Sequence, residues 1–458
     1  MKRRVGIMTG GGDAPGLNAV IRAFVKRAVG VLGWEVLGIE DSFNGLLETP
    51  HRVRHLSMRS CQGLLHRGGT VLGTTNRGDP FAFALPDGSV QDLSAELAER
   101  IRAQGMEGLV IIGGDGTQAI GLRLMETHGI PVVGVPKTID NDLSATDQTF
   151  GFQSAVDVAT EALDRLHTTA ESHERVMFLE VMGRDAGHIA LHAGISGGAD
   201  VILLPEIPYD PEAVAAKVRA RREVGRLFTL VVVAEGALPV GCEGLSHRER
   251  KARLKQGRGA AAIAMAQLDG LVPHEMRHVI LGHIQRGGTP TPSDRMLATR
   301  YGVGAVDLVA ADRWGEMVAL RNGEIVGVPM AEATSRQHLV DLPLRPIVVV
   351  DRGRPIQAER HRPQVPQHLL SARHERTVAA HTHVHGVKTQ PLDELGDVLP
   401  HQGLTARQVD ARGAHLGHLV DDVQGLLGVE LTAEALAGRA RSVRAAVQKA
   451  DASRQANP

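Results

Sequence analysis

Gly108-Leu-Val-Ile-Ile-Gly-Gly-Asp-Gly-Thr117 decides how the chain folds. Gly108–Ile112 is a short aliphatic run with no polar face, the pattern of a strand covered on both sides. Glycines end it, one carboxylate stands among them, and the amphipathic stretch Gln118–His128 follows. Strand, glycine loop, helix: this is one turn of an α/β unit with its loop at the carboxyl end of the strand, where such sheets bind ligands. A carboxylate flanked by glycines there suits Mg²⁺ held through water beside phosphate oxygens, although capping the next helix would also use Asp115.

The same unit recurs outward in both directions. Strands are expected at Val5–Met8, Glu35–Ile39, Val132–Val135, Val176–Val181, Val201–Leu204, Leu227–Ala234 and Arg277–Leu281. Helix-like stretches lie between them at Leu17–Val31, Leu93–Gln104, Ala155–Ser172 and Pro211–Val224. Alternation of this kind predicts an α/β fold with largely parallel sheets. Shortly after residue 350 the pattern stops. Arg354–His374 is rich in Pro, Arg, His and Gln, and Leu404–Ala450 reads as short helices, so a mainly helical C-terminal extension over 353–458 is expected. Its His381, His383 and His385 would share a strand face, either a metal face or a solvated polar one.

Composition narrows the function. The 458 residues carry 51 Lys+Arg and 52 Asp+Glu, a formal net charge of −1. That balance excludes a phosphate-backbone partner and an anionic membrane surface. Two cysteines are too few for a disulfide framework. No stretch reaches the ~20 apolar residues of a membrane span, and Met1-Lys-Arg-Arg-Val-Gly-Ile7 enters a strand without a secretory pattern, so a cytoplasmic location is expected. Aromatics are 3%, which leaves no base-stacking platform. Glycine is plentiful, 53 residues, and many stand at strand ends.

Three loops carry the chemistry. Thr9-Gly-Gly-Gly-Asp-Ala-Pro-Gly-Leu-Asn18 opens a helix and offers backbone N–H groups to an anion, or is simply a tight turn. The third glycine of a dinucleotide fingerprint would fall on Pro15, and no G-x-x-x-x-G-K-[S/T] occurs. The second loop is the one around Asp115. The third, Pro136-Lys-Thr-Ile-Asp-Asn-Asp142, places two carboxylates two residues apart; one can take an alcohol proton, while Lys137 adds positive charge. A polar loop of Asx turns would read the same way. Arg175, Arg184, Arg277, His283 and Arg286 supply cations suited to phosphate oxygens, and Glu235 ends a strand ready to accept sugar hydroxyls. Together these parts describe phosphoryl transfer from a polyphosphate to the hydroxyl of an anionic acceptor.

Residues 1 to about 350 resemble the bacterial type of the 6-phosphofructokinase family. The matching segments are Gly11–Asn18, Arg67-Gly-Gly-Thr-Val-Leu-Gly73, Gly113-Gly-Asp-Gly-Thr117, Thr138-Ile-Asp-Asn-Asp142, Met182-Gly-Arg184 and Gly282-His-Ile-Gln-Arg-Gly-Gly288. The resemblance implies two similar Rossmann-like α/β domains: 1–150 with 285–335 for the donor, and 151–284 with 336–352 for the sugar phosphate. It implies transfer to O1 of fructose 6-phosphate, with Asp140, Thr138 and Arg184 catalytic and Mg²⁺ on Asp115. Gly11, Gly12, Arg77, Gly114, Asp115, Gly116, Thr117 and Lys137 match donor positions. Thr138, Asp140, Asp142, Arg175, Met182, Gly183, Arg184, Glu235, Arg277, His283 and Arg286 match acceptor positions. In the family the counterparts of Arg175 and Arg277 reach in from a neighbouring subunit, which implies a homo-oligomer.

The donor is argued on space. A side chain after the metal carboxylate would fill the room of a nucleotide's α-phosphate, and Gly116 leaves that room open, so ATP is expected. Lys137 resembles the pyrophosphate-dependent type, the alternative. Asn76 stands where many relatives place a donor-binding Arg, and Arg77 follows it. NAD and lipid kinases share the Gly-Gly-Asp-Gly loop but lack the Thr138–Asp142 and Gly282–Gly288 segments. A non-catalytic regulatory paralogue would be expected to lose Asp140, which is present.

Overall fold

The computed structural model describes residues 2–341. The expected extension over 353–458, its histidines included, lies outside the described residues.

Among the described residues thirteen strands form three sheets. They are β1 (Arg4–Thr9), β2 (Glu35–Ile39), β3 (Val53–Leu56), β4 (Phe83–Ala84), β5 (Val90–Gln91), β6 (Gly108–Gly113), β7 (Val132–Pro136), β8 (Val176–Val181), β9 (Val201–Leu203), β10 (Thr229–Ala234), β11 (Met276–Ile280), β12 (Glu316–Arg321) and β13 (Glu324–Pro329). The large sheet runs β13-β12-β7-β6-β1-β2-β3 and the second β11-β8-β10-β9, while β4 and β5 make a small ribbon. In the large sheet β12, β7, β6, β1 and β2 are parallel, and the edge strands β3 and β13 are antiparallel. The four-stranded sheet is parallel throughout.

Burial explains why these runs are strands. Every residue of β6, β8 and β10 is buried, which takes continuous apolar sequence and a covering layer on each face. Helices Leu17–Ala28 and Pro292–Ala310 pack together over one face of the large sheet, with Val20, Phe24, Tyr301 and Val306 wholly buried between them. Phe152, Ala159, Phe178 and Val232 fill the interior around the second sheet. At ~25 cal/mol per Å² of apolar surface removed from water, each such large side chain contributes about 1.5–3 kcal/mol.

The expected α/β alternation is present, and its strands shift by at most two residues at either end. Elements missed by periodicity include the short β3, the apolar helices His188–Ser196 and Ala260–Leu268, the charged helix His247–Gln256, the long helix Pro292–Ala310 and the β12–β13 hairpin. The hairpin had a readable signal. Asn322 (φ 50°) and Gly323 (φ 84°) are the paired left-handed residues of a tight turn between β12 and β13. No helix of the described residues is long and apolar enough to cross a membrane.

Candidate active site

The carboxyl ends of β1, β6 and β7 open together on a cleft of about 330 Å³. Gly11, Gly12, Gly114, Asp115, Gly116, Thr117, Lys137, Thr138, Asp140, Arg184 and Arg286 all line it, as expected from separate segments of sequence. Backbone conformation explains the first loop. Gly11 has φ 76°, and a Cβ on Gly12 would lie 2.9 Å from Arg286 Nη1, which donates to the Asp13 carbonyl at 3.0 Å. Glycine therefore lets the guanidinium cross the loop closely.

Asp115 is the first residue of helix Asp115–His128, whose N-cap is Gly114 with no side-chain cap bond. The capping alternative is thus not used, and the carboxylate stays half-exposed in the cleft. Its position in the first helical turn favours negative charge there.

Asp140 and Asp142 are buried, and Oδ1 of each has no hydrogen-bond partner. Burial, with Asp142 nearby, pushes Asp140 up to about 6, against the pull of Arg286 and Arg184. Asp142 is raised as well, by burial first and then by Asp115. No Asx turn is formed by the residue between them: Asn141 (φ 55°) accepts through Oδ1 the N–H of Thr149, eight residues on, at 2.9 Å. Thr138 Oγ1 accepts the Asp140 N–H at 3.0 Å and fixes the turn. Lys137 is buried with Nζ donating to the Gly12 carbonyl at 2.5 Å, so the first and third loops are tied together. Burial and Arg286 lower its ammonium to about 8.

Arg184 belongs to the second sheet, just past β8. Gly183 (φ 143°) and Arg184 (φ 52°) turn the chain sharply, and Glu235 Oε1 accepts both backbone N–H groups, at 3.3 and 2.9 Å. The guanidinium lies 3.8 Å from Asp115 Oδ1 and 3.7 Å from Asp140 Oδ2. Met182 N donates to Gln285 Oε1 at 3.2 Å, which anchors the Gly282–Arg286 turn beside the strand end. A second cavity of about 710 Å³, lined by Asp115, Arg184, Asp185, Glu180 and Glu235, continues from this corner.

Asp142, Met182 and Gly183 line neither cavity, although each stands within two residues of one that does, and four expected residues are not gathered here. Arg77 is exposed and does not line the cleft; its neighbours Asn76 and Gly78 do. His283 is exposed on its turn and lines neither cavity. Arg175 precedes β8 and so lies the strand's length, ~20 Å at 3.3 Å per residue, from Met182. Its Nε donates to Glu275 Oε2 at 2.6 Å, and Arg277 pairs with the same carboxylate.

Sequence reading also missed participants. Ser42, Thr75 and Asp79 line the cleft from loops without a motif, beside Asn76, which the sequence singled out only as standing in place of a donor-binding Arg. His338 had no signal at all. Its backbone N donates to the Asp142 carbonyl at 2.8 Å and its Nδ1 donates to the Asn141 carbonyl at 3.0 Å, pinning the Asp140–Asp142 turn from behind.

Among the described residues no cluster of three or more His, Cys, Asp or Glu forms a metal cage. Mg²⁺ does not require one: it usually keeps waters and takes one or two carboxylates plus substrate phosphates. The half-exposed Asp115 carboxylate, not used in capping its helix, is a single donor that fits such an ion.

A parallel α/β fold with glycine loops, buried carboxylates and an arginine meeting at strand ends is that of a phosphotransferase. Residues 4–309 match the family model Phosphofructokinase. The chain belongs to the phosphofructokinase family. It is 54% identical over 341 residues to the ATP-dependent 6-phosphofructokinase of Chloroflexus aurantiacus, spanning 74% of this chain and 93% of that protein. It is 48% identical over 340 residues to the pyrophosphate–fructose 6-phosphate 1-phosphotransferase of Streptomyces coelicolor, covering 74% and 96%. Among solved structures, phosphofructokinase from Saccharomyces cerevisiae aligns with TM-score 0.60 and 30% identity over 73% of this chain and 45% of that one.

Proposed function

We propose that the chain transfers the terminal phosphoryl group of ATP to O1 of fructose 6-phosphate, giving fructose 1,6-bisphosphate. The observation that carries this reading is Asp140: a buried carboxylate raised to about 6, lining the phosphate cleft, with one oxygen that has no hydrogen-bond partner. Such a group takes a hydroxyl proton as the oxygen attacks phosphorus.

Each neighbour has a task in that step. Thr138 holds the Asp140 turn. Gly11, Gly12, Gly114, Gly116 and Thr117 present backbone and hydroxyl to the donor's phosphates, and Lys137 and Arg184 face the charge that develops on the moving phosphoryl. Asp115 would hold Mg²⁺, which when bound neutralises the donor's phosphate charge. Met182, Gly183, Glu235 and Asp142 surround the sugar, with Arg286 and His283 toward its phosphate. Glu235 Oε1 is already bonded to backbone, which leaves Oε2 for a hydroxyl.

On this reading 1–150 with 285–335 serves the donor and 151–284 with 336–352 the acceptor. Arg175 and Arg277 serve the site of a neighbouring copy, so the working form is a homo-oligomer acting in cytoplasmic glycolysis. The exposed Val279, Ile280 and Ile284 beside Arg277 support a contact there.

Pyrophosphate is the second reading for the donor, favoured by Lys137 in the cleft. Purified protein given fructose 6-phosphate with each donor separates the two. Turnover with ATP is expected; turnover with pyrophosphate alone overturns the ATP assignment.

A further inference from the structure

Residues 334–340 leave the helix Met330–Ala333 and cross from the core of one sheet to that of the other. At the near end Gln337 forms an antiparallel bridge to Leu143, which is buried in the core of the large sheet. At the far end Val340 is buried in the core of the second sheet, and its N–H donates to Glu206 Oε1 at 3.0 Å. The same oxygen accepts the Gly187 N–H at 2.9 Å, so the strap is fastened where the helix His188–Ser196 begins.

His338 stands in the middle of the strap and bonds to both sides. Toward the large sheet its N–H donates to the Asp142 carbonyl at 2.8 Å and its Nδ1 to the Asn141 carbonyl at 3.0 Å. Toward the second sheet its carbonyl accepts His188 Nε2 at 3.0 Å, and the two rings lie with centroids 4.7 Å apart. Burial lowers His188 to about 4, so its ring is neutral near pH 7 and keeps its proton on the donating Nε2. The carbonyls that His338 holds belong to Asp142 and to the residue between the two carboxylates. Asn141 is buried and left-handed, a conformation that persists only where the surroundings enforce it. Thr149 holds its side chain from within the turn, and His338 holds its carbonyl from behind.

We infer that His338 is a positioning residue for the reaction: it ties the Asn141–Asp142 peptides to the second sheet and so sets where Asp140 and Asp142 point. The inference rests on the proposed role of Asp140 as proton acceptor and adds the group that aims it. His338 lines neither cavity, so it acts through the turn and not on the substrates. Without it the buried Asn141 carbonyl loses its donor, which is costly enough to make the peptide rotate toward another. Rotation there swings the carboxylate on either side. A misplacement of about 1 Å costs of order 10²-fold in rate even when its cause lies away from the chemistry.

The test compares His338→Phe, which keeps a ring against His188 and loses the donor, with His338→Asn, whose amide can stand where Nδ1 does. Each is assayed with ATP and fructose 6-phosphate and titrated calorimetrically with fructose 6-phosphate. Hydrogen exchange of the amides of residues 137–142 follows the turn independently of turnover. Expected for the Phe variant is a kcat about 10–100-fold lower, with faster exchange across the turn. Its Kd for fructose 6-phosphate and KM for ATP should change little. The Asn variant should recover most of the kcat and of the protection. If the Phe variant does not fold, His338→Gln takes its place, since its amide reaches the position of Nε2 and not that of Nδ1. A normal kcat in the Phe variant, a loss shared equally by the Asn variant, or weakened binding that accounts for the whole effect overturns the inference. If the wild type turns nothing over, the proposed activity fails by itself and the exchange decides. Faster exchange in the Phe variant alone then supports the tie, and equal exchange in all three proteins overturns it.

Discussion

The backbone N–H of Arg184 donates to Glu235 Oε1 at 2.9 Å, and this bond holds a non-glycine residue at φ 52°. A left-handed conformation costs such a residue about 1–3 kcal/mol and persists only where its surroundings enforce it. Here the enforcement points a guanidinium between two carboxylates. Glu235→Ala should therefore remove more than a sugar contact. Two N–H groups lose their acceptor, at about 1–3 kcal/mol each if left unsatisfied, so the melting temperature and kcat should fall together. A normal kcat with only a raised KM for the sugar would show that Glu235 does not position Arg184.

Replacing Asp140 by Ser removes the proton acceptor. Turnover should fall by about 10²–10⁴-fold, with fructose 6-phosphate still bound in a calorimetric titration. Near-normal turnover would sink its assignment as the base.

The pH profile follows from two shifted groups. Asp140 acts only when ionised, and its value is raised to about 6; activity should climb as pH rises through 6 and lose about tenfold per unit below it. Lys137 acts only when protonated, and its value is lowered to about 8; activity should decline above 8. A kcat/KM profile flat from pH 5 to 9 would contradict both.

Gly116 faces empty space, with nothing within 4 Å of an added Cβ. Gly116→Asp should thus fold normally, and its charge in a first helical turn is tolerated. The carboxylate would still stand where the donor's phosphates approach, so KM for ATP should rise at least tenfold with that for fructose 6-phosphate little changed. Unaltered ATP kinetics would refute the spatial argument for the donor.

Sharing of sites between subunits can be read by mixing. Asp140→Ser and Arg277→Ala should each be nearly inactive. Unfolded together and refolded, random dimers would contain one intact site in every mixed pair, about a quarter of wild-type activity. No recovery would place Arg277 in its own chain's site or in none.

Much of this was legible in the order of residues because strand-end loops are local. Gly11–Gly12, Asp115 and Asp140 each follow a buried strand directly, so finding the strand locates the side chain. Arg184 was legible for the same reason, but its conformation was not, since that depends on Glu235, 51 positions away. His338 was invisible, because a histidine beyond the last helix has no period or spacing to announce it. The charged helix at His247–Gln256 escaped for a related reason: periodicity searches look for apolar faces, and this helix buries none of its residues.

Lys137, Asp140 and Asp115 hang from one sheet, and Arg184 hangs from the other. The separations of 3.8 and 3.7 Å from Arg184 to the two carboxylates exceed hydrogen-bond length. Those gaps work as a feeler gauge set across the seam: a slide of less than an ångström between the sheets would carry either pair into or out of hydrogen-bond length. Any change that stiffens or loosens the seam, however far from the cleft, should be felt first at Arg184.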